Sequence, residues 1–173
     1  MFTDTMTRWL EGVKDYTTQY NLRSLLLPLF DRQTSLAVVT AGLVIKAGSS
    51  ALAKTGAAAS YYLANGVLQK ISAATDMPAL SGTVTNAKFN VYCFFVDSAG
   101  TVTTQMGTEG ATLAALKFPQ FPTKKALIGF IIINPTGTGN FVGGTTALDD
   151  ATVVPNAVYV SPIGGFDPWA LIG

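Results

Sequence analysis

The chain has 173 residues, of which 49% are hydrophobic and only 12% are charged, and its formal net charge is +1. This length fits one domain with a short appendage, and so few charges predict that part of the surface is apolar and covered by another molecule. The nearly neutral balance provides no basic footprint for nucleic acid, so no nucleic-acid partner is expected.

The residue inventory argues against an enzyme. Histidine is absent, which removes the commonest general base and the commonest transition-metal ligand. The single cysteine, Cys93, lies in the apolar run Phe89–Val96 and is predicted to be a small core residue. No spacing selects a pair of carboxylates suited to glycoside hydrolysis. We therefore expect no catalytic residues, no cofactor and no required metal.

No segment predicts secretion or a membrane anchor. Charged side chains are spread through residues 1–30, which a signal peptide does not tolerate in its apolar part. The apolar run Leu25–Phe30 is far shorter than the roughly 20 residues that a bilayer span needs. No membrane partner is expected.

Residues 1–34 are predicted to hold an amphipathic helix and a connector. Apolar side chains recur at steps of three and four, the spacing of one helix face; they are Met6, Trp9, Leu10, Val13, Tyr16 and Tyr20. Leu22–Phe30 follows as an apolar connector, in which Pro28 should prevent a smooth helical continuation. The helix either folds back onto its own β domain or docks as an assembly arm on a neighbouring subunit. In the second case the partner-binding residues would be Met6, Trp9, Leu10, Val13 and Tyr16.

Residues 35–161 are predicted to form a mainly β domain, a β-sandwich or a jelly-roll-like barrel. Asn65-Gly66 is a strong hairpin signal because a type I′ turn requires positive φ at both positions. Asp97–Gly100 predicts a second hairpin with a four-residue loop. The segment 47–60 is predicted to be a loop. The predicted strands cover residues 35–46, 61–64, 67–71, 89–96, 101–106, 112–118, 126–133, 141–142 and 158–160.

Two predicted strands are continuously apolar, Val91–Val96 and Ala126–Ile133, which is typical of strands buried on both faces. One face would meet the facing sheet of the same domain. The other face would be covered by the N-terminal helix or by another chain. Residues 162–173 are predicted to be an irregular C-terminal tail, whose Trp169 and Leu171 need burial on this domain or on a neighbour.

Three local motifs resemble ligand sites, and each has a simpler interpretation. The adjacent carboxylates Asp149-Asp150 are interpreted as part of a turn rather than a Ca²⁺ site, since their spacing is not that of an EF-hand. Gly137–Asn140 lacks the Gly-Lys-Ser/Thr ending of a phosphate loop and is interpreted as a hairpin turn. Tyr61 and Tyr62 could stack on a sugar or base, but within a strand they are interpreted as core or cross-strand residues.

From about Gly42 onward the sequence resembles the β-domains of bacteriophage virion proteins, particularly head decoration and head fibre components. The resemblance depends on the order of five segments: Tyr61–Gly66, Val96–Thr101, Phe118–Pro122, Ile128–Ile133 and Phe141–Asp149. It implies a non-enzymatic, capsid-bound protein located in the virion. It also implies a homo-oligomer whose partners are the major capsid protein or neighbouring structural subunits. Residues 1–34 are not part of the resemblance.

The expected function is therefore that of a virion structural protein, either a capsid decoration and stabilising protein or a head-fibre component. The alternative is a receptor- or carbohydrate-binding module of a tail or fibre, which the same fold could serve. The low charge and the doubly buried strands favour the lattice component. Exposed Trp and Tyr side chains at loop tips would favour recognition.

Overall fold

The computed structural model of the chain describes residues 16–166 and residue 168, and it is mainly β, as the sequence predicts. One helix opens the described part, and eleven strands and one short 3-10 helix follow. The elements are α1 (Tyr16–Thr34), β1 (Leu36–Val39), β2 (Val44–Ile45), β3 (Ala53–Lys54), β4 (Ser60–Ala64), β5 (Val67–Ile71), β6 (Thr83–Val84), β7 (Asn90–Val96), β8 (Val102–Met106), the 3-10 helix (Leu113–Ala115), β9 (Ala126–Ile133), β10 (Phe141–Val142) and β11 (Val158–Val160).

Two antiparallel sheets enclose the main core and give a β-sandwich-like fold. One sheet has the order β1-β4-β5 and the other has the order β11-β9-β7-β8, while β10-β6 and β2-β3 form two small pairs. Strands β1 and β4 lie against β9, so the two larger sheets pack on each other. The inner faces contribute fully buried side chains, the largest of which include Tyr62, Tyr92, Phe94, Ile128, Ile131 and Ile133.

Both predicted hairpins are confirmed. Asn65 and Gly66 join β4 to β5 with φ values of 52° and 77°, the positive values that a type I′ turn requires. Asp97 begins the loop between β7 and β8, and its carboxylate accepts hydrogen bonds from the backbone N–H groups of Thr101 (2.9 Å) and Ala99 (3.0 Å). These two hydrogen bonds lower the pKa of Asp97, and the bond from Thr101 has the largest effect.

The central strands β7 and β9 are buried on both faces, as predicted. All seven residues of β7 are buried, and Tyr92, Phe94 and Val96 contribute to the main core. The alternate residues face a second cluster. The sequence predicted that the N-terminal helix or another chain would cover this side. The side chains that cover the second cluster come instead from later segments of the same chain. The members of the cluster are Val91, Cys93, Phe95, Phe121, Leu127 and Phe130, with Leu116, Phe118, Ile132 and Val160 packed against them.

A β-bulge decides which residues of β9 face which cluster. Phe94 pairs with Gly129 and Phe95 pairs with Leu127, so Ile128 is an extra residue. Ile128 therefore joins the main core although two positions later Phe130 faces the second cluster. A Cβ at Gly129 would lie 2.6 Å from both the Leu43 side chain and the Val160 carbonyl oxygen, so glycine permits this close approach.

Several predicted elements are wrong in detail. Residues 112–118 were predicted to form a strand, but they contain the 3-10 helix. Residues 111–115 are exposed and do not pair with a strand, and Lys117 forms only a single bridge, with Thr108. The predicted strand 35–46 is interrupted where Gly42 adopts φ +55°. The predicted loop 47–60 includes β3, which pairs with β2.

Gly137–Asn140 is not a hairpin turn. It connects β9 to β10, which belong to different sheets. Its backbone instead contacts the loop before β11, where the Thr138 N–H donates to the Thr152 carbonyl at 2.7 Å. The sequence pattern did not distinguish a tight turn from a link between sheets, because both need the same small residues.

The predicted connector 22–30 is helical, so the prediction that Pro28 ends the helix is wrong. Proline at this position removes the N–H that would bond to the Ser24 carbonyl. Both residues are exposed, so water can hydrate the freed carbonyl and the helix continues to Thr34. Met6, Trp9, Leu10 and Val13 lie outside the described residues. Of Tyr16, the first residue of α1, the side chain is likewise outside them.

Part of the predicted C-terminal tail is tied to the first sheet. Gly164 and Ala37 exchange backbone hydrogen bonds of 2.8 and 3.2 Å. Phe166 stacks on Phe130 with ring centroids 5.7 Å apart. Trp169 and Leu171 lie outside the described residues.

Candidate interaction surface

Helix α1 is attached to the β domain at its C-terminal end. The buried guanidinium of Arg32 donates to the Pro122 carbonyl (3.1 Å) and pairs with the Asp31 carboxylate (2.8 Å). The same carboxylate accepts the backbone N–H of Lys124 at 2.8 Å. On the other side, the Gly66 N–H donates to the carbonyl of Thr34 at 2.8 Å. These contacts fix where the helix leaves the domain.

The rest of α1 presents apolar side chains to solvent. Tyr20 is 66% exposed, Leu29 is 50% exposed and Leu27 is 39% exposed. Among the described side chains of the helix, Arg32 is the one that is buried. Tyr20 and Leu27 share one side of the helix, whereas Leu29 lies on the opposite side. Helices in proteins owe most of their stability to packing of apolar side chains, so these exposed side chains suit contact with a partner. We call these three side chains the α1 surface.

A second apolar surface lies on the outer side of the sheet β1-β4-β5. Leu36, Leu63 and Leu68 pair in one row across the three strands, in alternation with the buried residues Ala37 and Tyr62. Leu68 is 62% exposed. A neighbouring row contains Val39, Tyr61 and Lys70. We call the five apolar residues of these rows the outer sheet face: Leu36, Val39, Tyr61, Leu63 and Leu68.

The acidic pair Asp149-Asp150 makes hydrogen bonds within the chain. Among the described residues, no group of three or more His, Cys, Asp or Glu side chains could hold a metal ion. Both Asp149 carboxylate oxygens lie 3.0 Å from the Ser49 backbone nitrogen, which donates to them. Asp150 accepts from the hydroxyl and the N–H of Thr152, and these bonds lower its pKa. The acidic pair therefore stabilises two turns, as interpreted from the sequence.

The tyrosine pair divides between core and surface. Tyr62 is fully buried and burial raises the pKa of its phenol. Tyr61 is half-buried on the outer sheet face. The core interpretation is thus confirmed for Tyr62, and Tyr61 is the cross-strand neighbour of Lys70.

Cys93 is predicted to be unreactive in the folded protein. Its side chain is fully buried and burial strongly raises the pKa of its thiol, whereas thiol reagents attack the thiolate. Native protein mixed with a chromogenic disulfide reagent should release colour only as slowly as it unfolds. Urea-unfolded protein, the control, should react promptly with one equivalent. Prompt stoichiometric labelling without urea would contradict the described core.

Sequence reasoning missed two features of the surface. Leu27 and Leu29 were placed in a connector because of Pro28, although Leu27, seven residues after Tyr20, continues the helical period. The outer sheet face was missed because alternation in β4 and β5 does not say which face has a partner. Alternating apolar residues on both sides of the Asn65-Gly66 turn were the available signal.

A scan against protein-family models gives no match, and neither a search of curated proteins nor one of solved structures finds a similar chain. Within the described residues, no helix has the length and apolar character of a membrane span.

Proposed function

We propose that the chain is a non-enzymatic structural protein of a bacteriophage particle, a capsid decoration or head-fibre component that binds other virion subunits. One observation carries the proposal. The chain covers both faces of β7 and β9 with its own residues, yet large apolar side chains remain exposed on the α1 surface and the outer sheet face. These side chains are not needed to complete the core, and such surfaces mark sites of protein association.

The free energy gained by burying these side chains is large enough to support association. Burying one large apolar side chain contributes roughly 1.5–3 kcal/mol, and association costs about 4–15 kcal/mol before any contact contributes. Several residues must therefore be buried together. On α1, Tyr20 and Leu27 lie on the same side of the helix, and the outer sheet face supplies Leu68 and Val39. Because the chain has few charged residues, burial of these surfaces costs little free energy for the desolvation of ionic groups.

Recognition of a receptor or glycan has less support. The described tips of the β4-β5 and β7-β8 hairpins carry Asn65, Gly66 and Asp97–Gly100, which are small or polar. The most exposed aromatic side chains of the described part are Tyr20, on the helix, and Phe166, near the C-terminal segment. Neither lies at a hairpin tip, where an aromatic platform for sugar would be expected.

The proposal predicts that the chain is a constituent of particles. Phage particles banded in a density gradient should contain the chain at a fixed molar ratio to the major capsid protein, as measured by quantitative mass spectrometry. The ratio should survive a second gradient at moderate salt, because apolar contacts are not weakened by screening. Recovery of the chain in the soluble fraction alone would reject the proposal.

A further inference from the structure

The tip of the β4-β5 hairpin is held by the end of α1 and the residue after it. The backbone N–H of Gly66 donates to the Thr34 carbonyl at 2.8 Å. The backbone N–H of Asn65 donates to the Ser35 hydroxyl at 3.1 Å. In a two-residue turn these two N–H groups lie beyond the last pair of the hairpin ladder, so they need partners from elsewhere in the chain. We call the two hydrogen bonds the turn clasp.

The same two residues form a reactive dipeptide. Asn65 is the one asparagine in the chain that is followed by glycine. Glycine has no Cβ to obstruct the approach of its own nitrogen to the side chain of the preceding asparagine. Both residues are exposed, and no atom lies within 4 Å of the position that a Cβ on Gly66 would occupy. A cyclic imide therefore has room to form at this turn.

Deamidation at such a dipeptide needs water as its only co-reactant. The Gly66 nitrogen loses its proton and attacks Cγ of Asn65. A new N–C bond forms, the C–N bond of the side-chain amide breaks, and the amide nitrogen leaves as ammonia after taking up a proton. Water then adds to one of the two carbonyl groups of the imide and opens the ring, which leaves either aspartate or isoaspartate. The net change converts a neutral amide and water into a carboxylate and ammonium.

The turn clasp opposes the first step of this reaction. The Gly66 N–H is bound to the Thr34 carbonyl, so the bond must open before solvent base can remove the proton, as in amide hydrogen exchange. The second bond, to Ser35, holds the turn in the same position. We infer that Asn65 is a site of spontaneous deamidation whose rate is controlled by the turn clasp. This chemistry is independent of the proposed function.

Deamidation would weaken the clasp in turn. Isoaspartate adds a methylene group to the backbone, whereas the type I′ turn depends on the φ values of 52° and 77° at two successive residues. A carboxylate at position 65 also lies beside the C-terminal carbonyl groups of α1, where negative charge is unfavourable. Both products should therefore loosen the end of α1 from the hairpin.

Peptide mapping by mass spectrometry tests the inference, after the full chain has been incubated in mildly alkaline buffer. In the urea-unfolded chain, Asn65 should deamidate faster than Asn156, which is followed by alanine. In the native chain, Asn65 should react about tenfold more slowly than in urea, because the clasp must open first. Ser35→Ala removes one acceptor of the clasp and should raise the native rate about threefold to tenfold. Ser161→Ala is the matched control, because it removes a hydroxyl that accepts the Leu43 N–H at 3.0 Å, and it should leave the rate unchanged.

Three results would overturn the inference. The first is a rate at Asn65 in urea that is no greater than the rate at Asn156, since the dipeptide would then be unreactive. The second is an equal rate at Asn65 in the native and the urea-unfolded chain. The third is a native rate in Ser35→Ala no greater than that in Ser161→Ala, which would show that the clasp does not control the reaction. The first two comparisons use the unsubstituted chain, so they decide the matter even if Ser35→Ala does not fold.

Discussion

Phe94→Ala is expected to lower the free energy of unfolding by about 3–5 kcal/mol. Phe94 is fully buried in β7, the strand that pairs with both β8 and β9. Its ring faces the main core between the two larger sheets, so truncation leaves a cavity that no neighbouring loop can fill. Because a domain of this kind is stable by about 5–15 kcal/mol in total, the variant should lose a large fraction of its stability. Urea unfolding followed by fluorescence measures the change.

The control for this substitution is Leu68→Ala on the outer sheet face. Leu68 is 62% exposed, so its removal should change the free energy of unfolding by about 0.5 kcal/mol or less in the isolated chain. Equal effects of the two substitutions would contradict the assignment of the inner and outer sides of the sandwich.

Removal of residues 1–30 is expected to leave the β domain folded and to abolish assembly. A chain that begins at Asp31 keeps the Arg32 contacts with Pro122 and Lys125, and the second cluster keeps its cover by Leu116, Phe118 and Phe121. Its thermal transition should therefore remain cooperative and close to that of the full chain. Assembly should be lost because the exposed apolar residues of α1 are gone.

A second shortened chain, beginning at Ser35, isolates the contribution of Arg32. It lacks the ion pair with Asp31 and the guanidinium 5.9 Å from the Phe121 ring. We expect it to be less stable than the chain that begins at Asp31 by about 1–3 kcal/mol, the usual cost of losing a buried charge-assisted bond. Aggregation of both shortened chains would instead indicate that the helix covers its own β domain.

The sequence predicted the parts of the fold that depend on local chemistry. The Asn65-Gly66 hairpin was predictable because few residues adopt positive φ at two successive positions. The burial of Val91–Val96 and Ala126–Ile133 was predictable because strands covered on both faces have no polar alternation. The mainly β class follows from the number and spacing of such runs.

The remaining features depend on contacts that a single sequence does not reveal. A run that is apolar on both faces, as in β9, carries no mark of the bulge at Ile128, because either phase of alternation is apolar. The cover supplied by Phe118 and Phe121 arises between segments distant in sequence from Cys93 and Phe95. Such contacts are visible in the three-dimensional structure, whereas the spacing of apolar residues in the sequence does not reveal them.

The candidate surface was predicted in part. The amphipathic period from Met6 to Tyr20 predicted a helix that either covers its own β domain or serves as an assembly arm, and its first four apolar residues lie outside the described part of the chain. The end of the helix was placed too early because proline is costly within a helix. In an exposed helix that cost is reduced by hydration, so the helix continues through Leu27 and Phe30 to Thr34.

Co-sedimentation with particles that lack the chain tests most directly whether α1 serves assembly rather than the chain's own fold. The full chain and the chain beginning at Asp31 are each mixed with such particles and centrifuged, and the thermal transition of each is measured in the same buffer. We predict that the full chain pellets with the particles, because it carries the exposed apolar side chains of α1, and that the shortened chain stays in the supernatant with an unchanged transition. A shortened chain that remains folded and pellets with the particles at full strength would contradict the account.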